Sequence, residues 1–487
     1  MARSPGHILI VGTGFAGLGM GIRLKQAGLD DFTILEQADH VGGTWRDNHY
    51  PGAACDIESH LYSFSFEPNP NWTRTYASQP EILAYLDHCA DKYGLRPHIR
   101  LGTAATGASF DEREGLWRVT TSTGDTITAR VLIPCCGGLS RPAYPDIAGL
   151  GDFAGKIFHS ARWDDGAPLD GKTVAVIGTG ASAIQIVPAI APRVARLDLY
   201  QRTPPWILPR FERDIAPGER ARFRRFPVLQ RVARTAQYLR HELFAVGFVV
   251  EPRVLRFASR FALRHLASGV ADPALRQRLT PHYTMGCKRV LLSNDYYPAV
   301  ARDNVTLVTD GIERVTARGI RTRDGVERAV DAIVLATGFE AAEQAAPFAV
   351  RGREGHTLDE AWKDGPEAYL GTAVSGFPNL FLIVGPNTGL GHSSMVFMIE
   401  SQIAYVMDAI RTLGAEQLKL VDLRAAAQKR YNDELAERLA KTVWATGGCS
   451  SWYRTRSGRN TTLWPGFTVE FRMRTRRFDA ESYECVR

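Results

Sequence analysis

Two short glycine-rich turns constrain this chain of 487 residues more than any other feature. Gly12-Thr13-Gly14-Phe15-Ala16-Gly17 follows the apolar run HILIV, and Gly178-Thr179-Gly180-Ala181-Ser182-Ala183 follows TVAVI. In such a unit the first glycine permits a tight turn out of a buried parallel strand. The second lets the backbone approach a pyrophosphate, and the third lets the helix pack closely on the strand. The helix N-terminus then offers its free N–H groups to the phosphates. Each turn opens a helical pattern, to about residue 28 in the first case and about 190 in the second. Each helix is followed by another apolar strand, residues 32–36 and 196–200. A lone glycine motif is weak; strand, turn, helix and second strand together read as a dinucleotide-binding unit. Two such units predict an α/β chain with two Rossmann-like domains that passes electrons between two nucleotide cofactors.

The residue at the end of each second strand separates the two cofactors. Glu36 stands 24 residues after Gly12, placed to accept hydrogen bonds from a ribose diol. At the matching distance from Gly178 the chain has Gln201-Arg202-Thr203 instead. An acid there would repel a 2′-phosphate, whereas an arginine can clamp one bidentately. The first unit therefore reads as an FAD site and the second as an NADPH site.

Composition narrows the setting. No secretory signal is readable, and no apolar run approaches the roughly 20 residues of a membrane span. Seven cysteines without a C-x-x-C pair argue for a reducing cytoplasm, and against both a disulfide framework and a dithiol redox centre. No His/Cys cluster has metal-ligand spacing. The net charge of +7 is uneven: between residues 202 and 289 bases exceed acids by roughly a dozen. That surplus reads as a solvated helical face that also attracts polyanionic NADPH. No recognition motif points to nucleic acid or a membrane surface.

The stretch joining the units is FAGKIFHSARWD, with Phe153, Gly155, His159, Trp163 and Asp164 in the pattern F-x-G-x-x-x-H-x-x-x-W-[PD]. A second pattern, [AG]-G-x-W-x-x-x-x-[FY]-P-[GM]-x-x-x-D, fits Gly42, Gly43, Trp45, Tyr50, Pro51, Gly52 and Asp56. On these motifs the chain resembles the type I Baeyer–Villiger monooxygenases, class B flavoprotein monooxygenases, over almost its whole length. The resemblance implies NADPH- and O₂-dependent conversion of a ketone to an ester or lactone through a C4a-peroxyflavin. It assigns Gly12, Gly14, Gly17, Glu36, Thr44, Trp45, Asp56, Tyr62, Ala105 and Met395 to FAD. It assigns Gly178, Thr179, Gly180, Ala181, Ser182, Arg202, Thr203, Lys288, Arg289 and Trp452 to NADPH. Arg289 matches the active-site arginine and Asp56 the carboxylate that positions it. Leu390 and His392 fall where the substrate pocket is lined, and the link stretch couples the domains. The alternative is a flavin-containing monooxygenase oxidising sulfur or nitrogen, which the Trp163-Asp164 ending disfavours. Gly138 replaces a polar residue usual in the family, and RTRSGRNTTLWPG departs from its usual C-terminal segment.

The expected layout is an FAD domain of residues 1–145 and 345–487, interrupted by an NADPH domain of residues 146–344. The latter carries a helical insertion at about 208–284, with Phe244, Phe248, Leu255, Phe261 and Leu266 as its apolar face. Residues 117–123 and 126–134 should form a β-hairpin. Residues 331–338 and 377–387 should add strands, and residues 389–395 a loop opening a helix. The partners are a small ketone and O₂, with no nucleic acid and no membrane span.

Overall fold

The computed structural model describes residues 6–340, 346–449, 451–455 and 457–487. The boundary expected between residues 344 and 345 lies outside them. The first sheet contains β1 (Ile8–Val11), β2 (Phe32–Leu35), β3 (Ile99–Arg100) and β4 (Val131–Pro134) in the order β3-β2-β1-β4, all parallel. β1 and β4 are buried at every position, as strands covered on both faces must be. Helix α1 (Phe15–Gln26) runs from β1 back to β2. Gly19 lets it press against a neighbouring layer, since a Cβ there would meet the Phe64 ring at 2.8 Å and Ile403 at 3.0 Å.

The second sheet contains β5 (Lys156–His159), β6 (Thr173–Ile177), β7 (Arg196–Tyr200), β8 (Val305–Val308) and β9 (Ala332–Leu335). Its order is β8-β7-β6-β9-β5, again all parallel. Helix α2 (Ala183–Ile190) follows β6. Each sheet has its own apolar core, one around Ile10, Leu18 and Ile403, the other around Val176, Ile186 and Val334.

Four local expectations need correction. The hairpin turns at residues 122–125, but its second arm is split. Thr126–Ala129 pairs back on Leu116–Thr121, while Val131–Pro134 belongs to the parallel sheet. The division falls where half-exposed Thr-Ile-Thr-Ala gives way to fully buried Val-Leu-Ile-Pro. Residues 377–387 form no regular strand: they run beside β4 with a single bridge, Leu132 to Leu380, and one further backbone bond from the Ile383 N–H to the Pro134 carbonyl. Asn379, Val384 and Asn387 take positive φ, which breaks an extended run. The link stretch does more than join the units, because its middle is β5, an edge strand of the second sheet. Finally, Cys287 and Cys449 form a disulfide across 162 residues of sequence, which the cysteine spacing had argued against.

The insertion consists of α3 (Pro217–Arg225), α4 (Pro227–Val249), α5 (Val254–Gly269) and the short helix Pro273–Leu279. Phe248, Leu255 and Leu266 are buried, but Phe244 and Phe261 are not, at 55% and 51% exposed. Among the described residues no helix is long and apolar enough to cross a membrane.

Candidate active site at the junction of the two nucleotide units

The first turn has the backbone its glycines require. Gly12 has φ +105°, and a Cβ on it would lie 2.8 Å from the Cys135 carbonyl oxygen. A Cβ on Gly17 would strike the Gly12 carbonyl oxygen, so α1 can leave the turn only with glycine there. Gly14 faces Gly43, whose own Cβ would lie 3.1 Å from the Gly14 Cα. The Gly42-Gly43-Thr44-Trp45 loop thus lies over the turn. Trp45 donates its indole N–H to the Tyr62 hydroxyl at 3.2 Å, and the two rings meet edge-on. Met395, first residue of helix α6 (Met395–Ala415), packs on the same core as Trp45 and Tyr62. Glu36 is buried at the end of β2; it accepts from the Thr13 amide and hydroxyl and from Arg46 at 2.9 Å. Ala105 lies nearby, two residues beyond Thr103, whose N–H bonds the Glu36 carbonyl.

The second turn is more open. Gly178 has φ +115°, and a Cβ there would meet the Ala336 carbonyl oxygen at 2.3 Å, while a Cβ on Gly180 would meet nothing within 4 Å. Ala181 and Ser182 lead into α2, and Thr179 donates its hydroxyl to the Thr203 carbonyl. Arg202 is exposed. Lys288 comes close enough for the two cations to repel. Burial, and after it the Arg202 guanidinium, push the Lys288 ammonium below its ordinary pKa. Two adjacent cations beside an open glycine turn suit a phosphate ester.

Arg289 is the centre of the junction. Its Nε and Nη2 donate to one Asp56 oxygen at 2.7 and 2.6 Å, and its Nη1 donates to the Leu390 carbonyl at 3.2 Å. The Asp56 carboxylate raises the guanidinium's pKa above the ordinary range, against the opposing effect of burial. Around it stand buried polar groups with no hydrogen-bond partner: both His392 ring nitrogens, the Tyr453 hydroxyl and the Trp444 indole N–H. Burial holds His392 neutral, with its pKa pushed down to about 3, and pushes Tyr453 up to about 12. Donors buried without partners are costly unless a ligand satisfies them. Trp452, in contrast, stands 47% exposed with its ring against Tyr453.

Three features here were not read from the sequence. Glu58 binds Arg240 and His241, and the other His241 nitrogen lies 2.6 Å from the His392 carbonyl oxygen. Gln185 on α2 accepts from the Tyr50 hydroxyl at 3.0 Å and donates to the Ala54 carbonyl at 3.0 Å. The disulfide joins Cys287, next to Lys288 and Arg289, to the segment carrying Tyr453. None of the three had a local signal: Glu58 and His241 stand 183 residues apart, Tyr50 and Gln185 stand 135 apart, and the two cysteines 162 apart.

The link residues divide by role. His159 is fully buried, with its ring against Tyr144 and Phe339, and its Nδ1 accepts from the Ala161 amide. Tyr144 and Phe339 belong to the two crossing segments, which are themselves bonded through Ala143, Thr337 and Gly338. Trp163 packs on Phe158 in a core that includes Tyr50 and Ala53. Gly155 has no room for a Cβ, which would fall 2.4 Å from the Asp331 carbonyl oxygen, and Phe153 packs beside it. Asp164 faces solvent, where it accepts from Lys156 and the Gly166 amide.

Comparison with known proteins identifies what this chain is similar to. Residues 9–237 match the family described as pyridine nucleotide-disulphide oxidoreductase. Over 480 residues the chain is 54% identical to a Baeyer–Villiger monooxygenase of Pseudomonas aeruginosa, covering 98% of this chain and 91% of that one. It superposes on an oxidised steroid monooxygenase bound to NADP with a TM-score of 0.87 and 33% identity, over 99% of both chains. On the OTEMO complex with FAD and NADP the TM-score is 0.88 at 28% identity, over the whole of both chains.

Proposed function

This chain belongs to the Baeyer–Villiger monooxygenase family, and we propose that the contacts converging on Arg289 are where it transfers oxygen to a ketone. The protein is an FAD- and NADPH-dependent oxidoreductase. FAD and NADPH, when bound, supply hydride transfer and oxygen activation. The chain supplies placement, charge and dryness. Thr44, Trp45, Tyr62, Ala105 and Met395, with the first glycine turn and Glu36, hold FAD. The second glycine turn, Thr203, Arg202 and Lys288 hold NADPH, the last two by its 2′-phosphate.

Arg289 keeps a permanent positive charge where negative charge develops on oxygen, and a preorganised donor is worth most once bound cofactors and substrate exclude water from it. Asp56 and the Leu390 carbonyl occupy its other N–H groups and so fix its direction. Leu390 and His392 line the ketone's place, and Trp452 and Tyr453 close it from the C-terminal side. The link residues keep the two units in register. The observation that carries this reading is the Asp56–Arg289–Leu390 chain of contacts, which draws one residue from each of three distant segments to the junction.

The test is Arg289→Ala followed in two half-reactions. Flavin reduction by NADPH under nitrogen should stay within a few-fold of the parent, because alignment comes from the two nucleotide folds. Ester formation should fall by about 10²–10³, with hydrogen peroxide released in its place. Ester formation at the parent rate would remove Arg289 from the chemistry.

A further inference from the structure

Residues 217–269, which span α3 to α5, hold eleven arginines and no lysine against three glutamates, a net +8 in a chain whose total is +7. All of the protein's positive surplus is therefore in these helices. Of the glutamates only Glu251 pairs within the segment, with Arg253 at 3.9 Å; Glu219 pairs with Arg213 outside it, and Glu242 turns inward to Thr468. Arg225, Arg231, Arg256, Arg260 and Arg264 make no ion pair among the described residues.

The same helices expose large apolar side chains. On α4, Val228, Val232, Leu239 and Leu243 recur at steps of four, seven and four, which keeps them on one stripe of the helix. Val228 is 64% and Leu243 72% exposed. On α5, Val254, Phe257 and Phe261 repeat the pattern, with Phe257 64% exposed. Arginines lie against exposed rings: Arg225 on Phe226 at 5.4 Å, Arg260 on Phe257 at 5.7 Å and Arg264 on Phe261 at 5.9 Å. The opposite face of α4 is committed to the protein interior, where His241 and Phe248 meet His392.

We propose that the outer faces of α4 and α5 dock on an anionic lipid surface. Apolar side chains in a helical stripe, flanked by long cationic ones that can reach back to headgroups, are the chemistry of an interfacial helix. The charge selects the partner. A second copy would bring +8 against +8, and a nucleic acid would leave the valines, leucines and phenylalanines in water. Anionic lipid satisfies both the charge and the apolar surface.

The test uses the holoenzyme and sedimentation with vesicles of phosphatidylcholine alone or mixed with phosphatidylglycerol, at roughly 0.1 M and roughly 1 M salt. Binding should appear with the mixed vesicles, weaken at high salt and be at least about tenfold poorer on phosphatidylcholine. The variant Leu243→Glu/Phe257→Glu/Phe261→Glu should lose binding by about tenfold or more while keeping its flavin and its turnover of a water-soluble ketone. A second variant, Arg256→Gln/Arg260→Gln/Arg264→Gln, should bind more weakly and with less salt dependence; it keeps the test usable if the first does not fold. No binding to mixed vesicles, or equal binding to both kinds, overturns the proposal. So does self-association in vesicle-free ultracentrifugation that the glutamate variant abolishes. An oligonucleotide held as tightly as the mixed vesicles, and still held by the glutamate variant, also overturns it.

Discussion

Arg202 and Lys288 are 86 residues apart in the chain, yet they raise the potential of one another's surroundings. That costs stability unless an anion sits between them. Arg202→Ala should therefore weaken NADPH by roughly 10–150-fold, the worth of one charge-assisted hydrogen bond, and leave NADH nearly unchanged. Michaelis constants for both nucleotides check this, and equal losses would show that Arg202 does not read the phosphate. Arg202 could be picked out because its distance from Gly178 is a local property of a strand–turn–helix unit. Asp56 and Arg289 could be picked out only by motif; their contact spans 233 residues and no local pattern encodes it.

At the scale of elements, two connections hold the site together. The link stretch is built into the second sheet through β5, and His159 fills the space between both crossing segments. His159→Ala should keep FAD but leave the crossings under-packed. The yield of ester per NADPH should fall, and stability should drop by about 1–3 kcal/mol. Product and NADPH measured in one assay, beside a denaturant titration, decide this; unchanged yield would make the residue merely structural. The second connection is the Cys287–Cys449 disulfide, which ties the segment carrying Tyr453 to the backbone of Lys288 and Arg289. Cys449→Ser should expose the chain around Tyr453 to faster proteolysis and lower stability by up to about 5 kcal/mol, because the closed loop is long. Dithiothreitol should reproduce the effect in the parent protein and add nothing in the variant.

For the whole molecule, pH acts through buried histidines. Burial pushes His60 down to about 4 and His392 to about 3, and lowers His159 as well. In the unfolded chain each titrates near its ordinary value of about 6.5. Between those limits the unfolded chain binds protons that the fold excludes. Their contribution to stability is thus complete above about pH 6.5 and is lost as pH falls toward 4. Unfolding at about pH 7 and about pH 5 should differ by roughly 1–2 kcal/mol for each of His60 and His392, and His392→Leu should shrink the difference. A midpoint insensitive to pH over this range would show that these rings are protonated in the fold.

The two nucleotide units, their cofactors and their family were legible from the sequence alone. A strand, a glycine turn and a helix are made within some thirty contiguous residues. The backbone freedom of Gly12 and Gly178, and the acid or arginine that follows, are therefore written in order along the chain. What only the tertiary structure decided depends on which segments meet. The run 126–134 changes sheets at Arg130 because one half is two-sided and buried and the other is not. Cys287 finds Cys449 because the fold brings their Cα atoms to 6.1 Å, whatever compartment their spacing suggested. Phe244 and Phe261 share the periodicity of Phe248 and Leu255 but face outward. Helical spacing shows which residues share a stripe, and only packing shows whether that stripe meets protein or solvent.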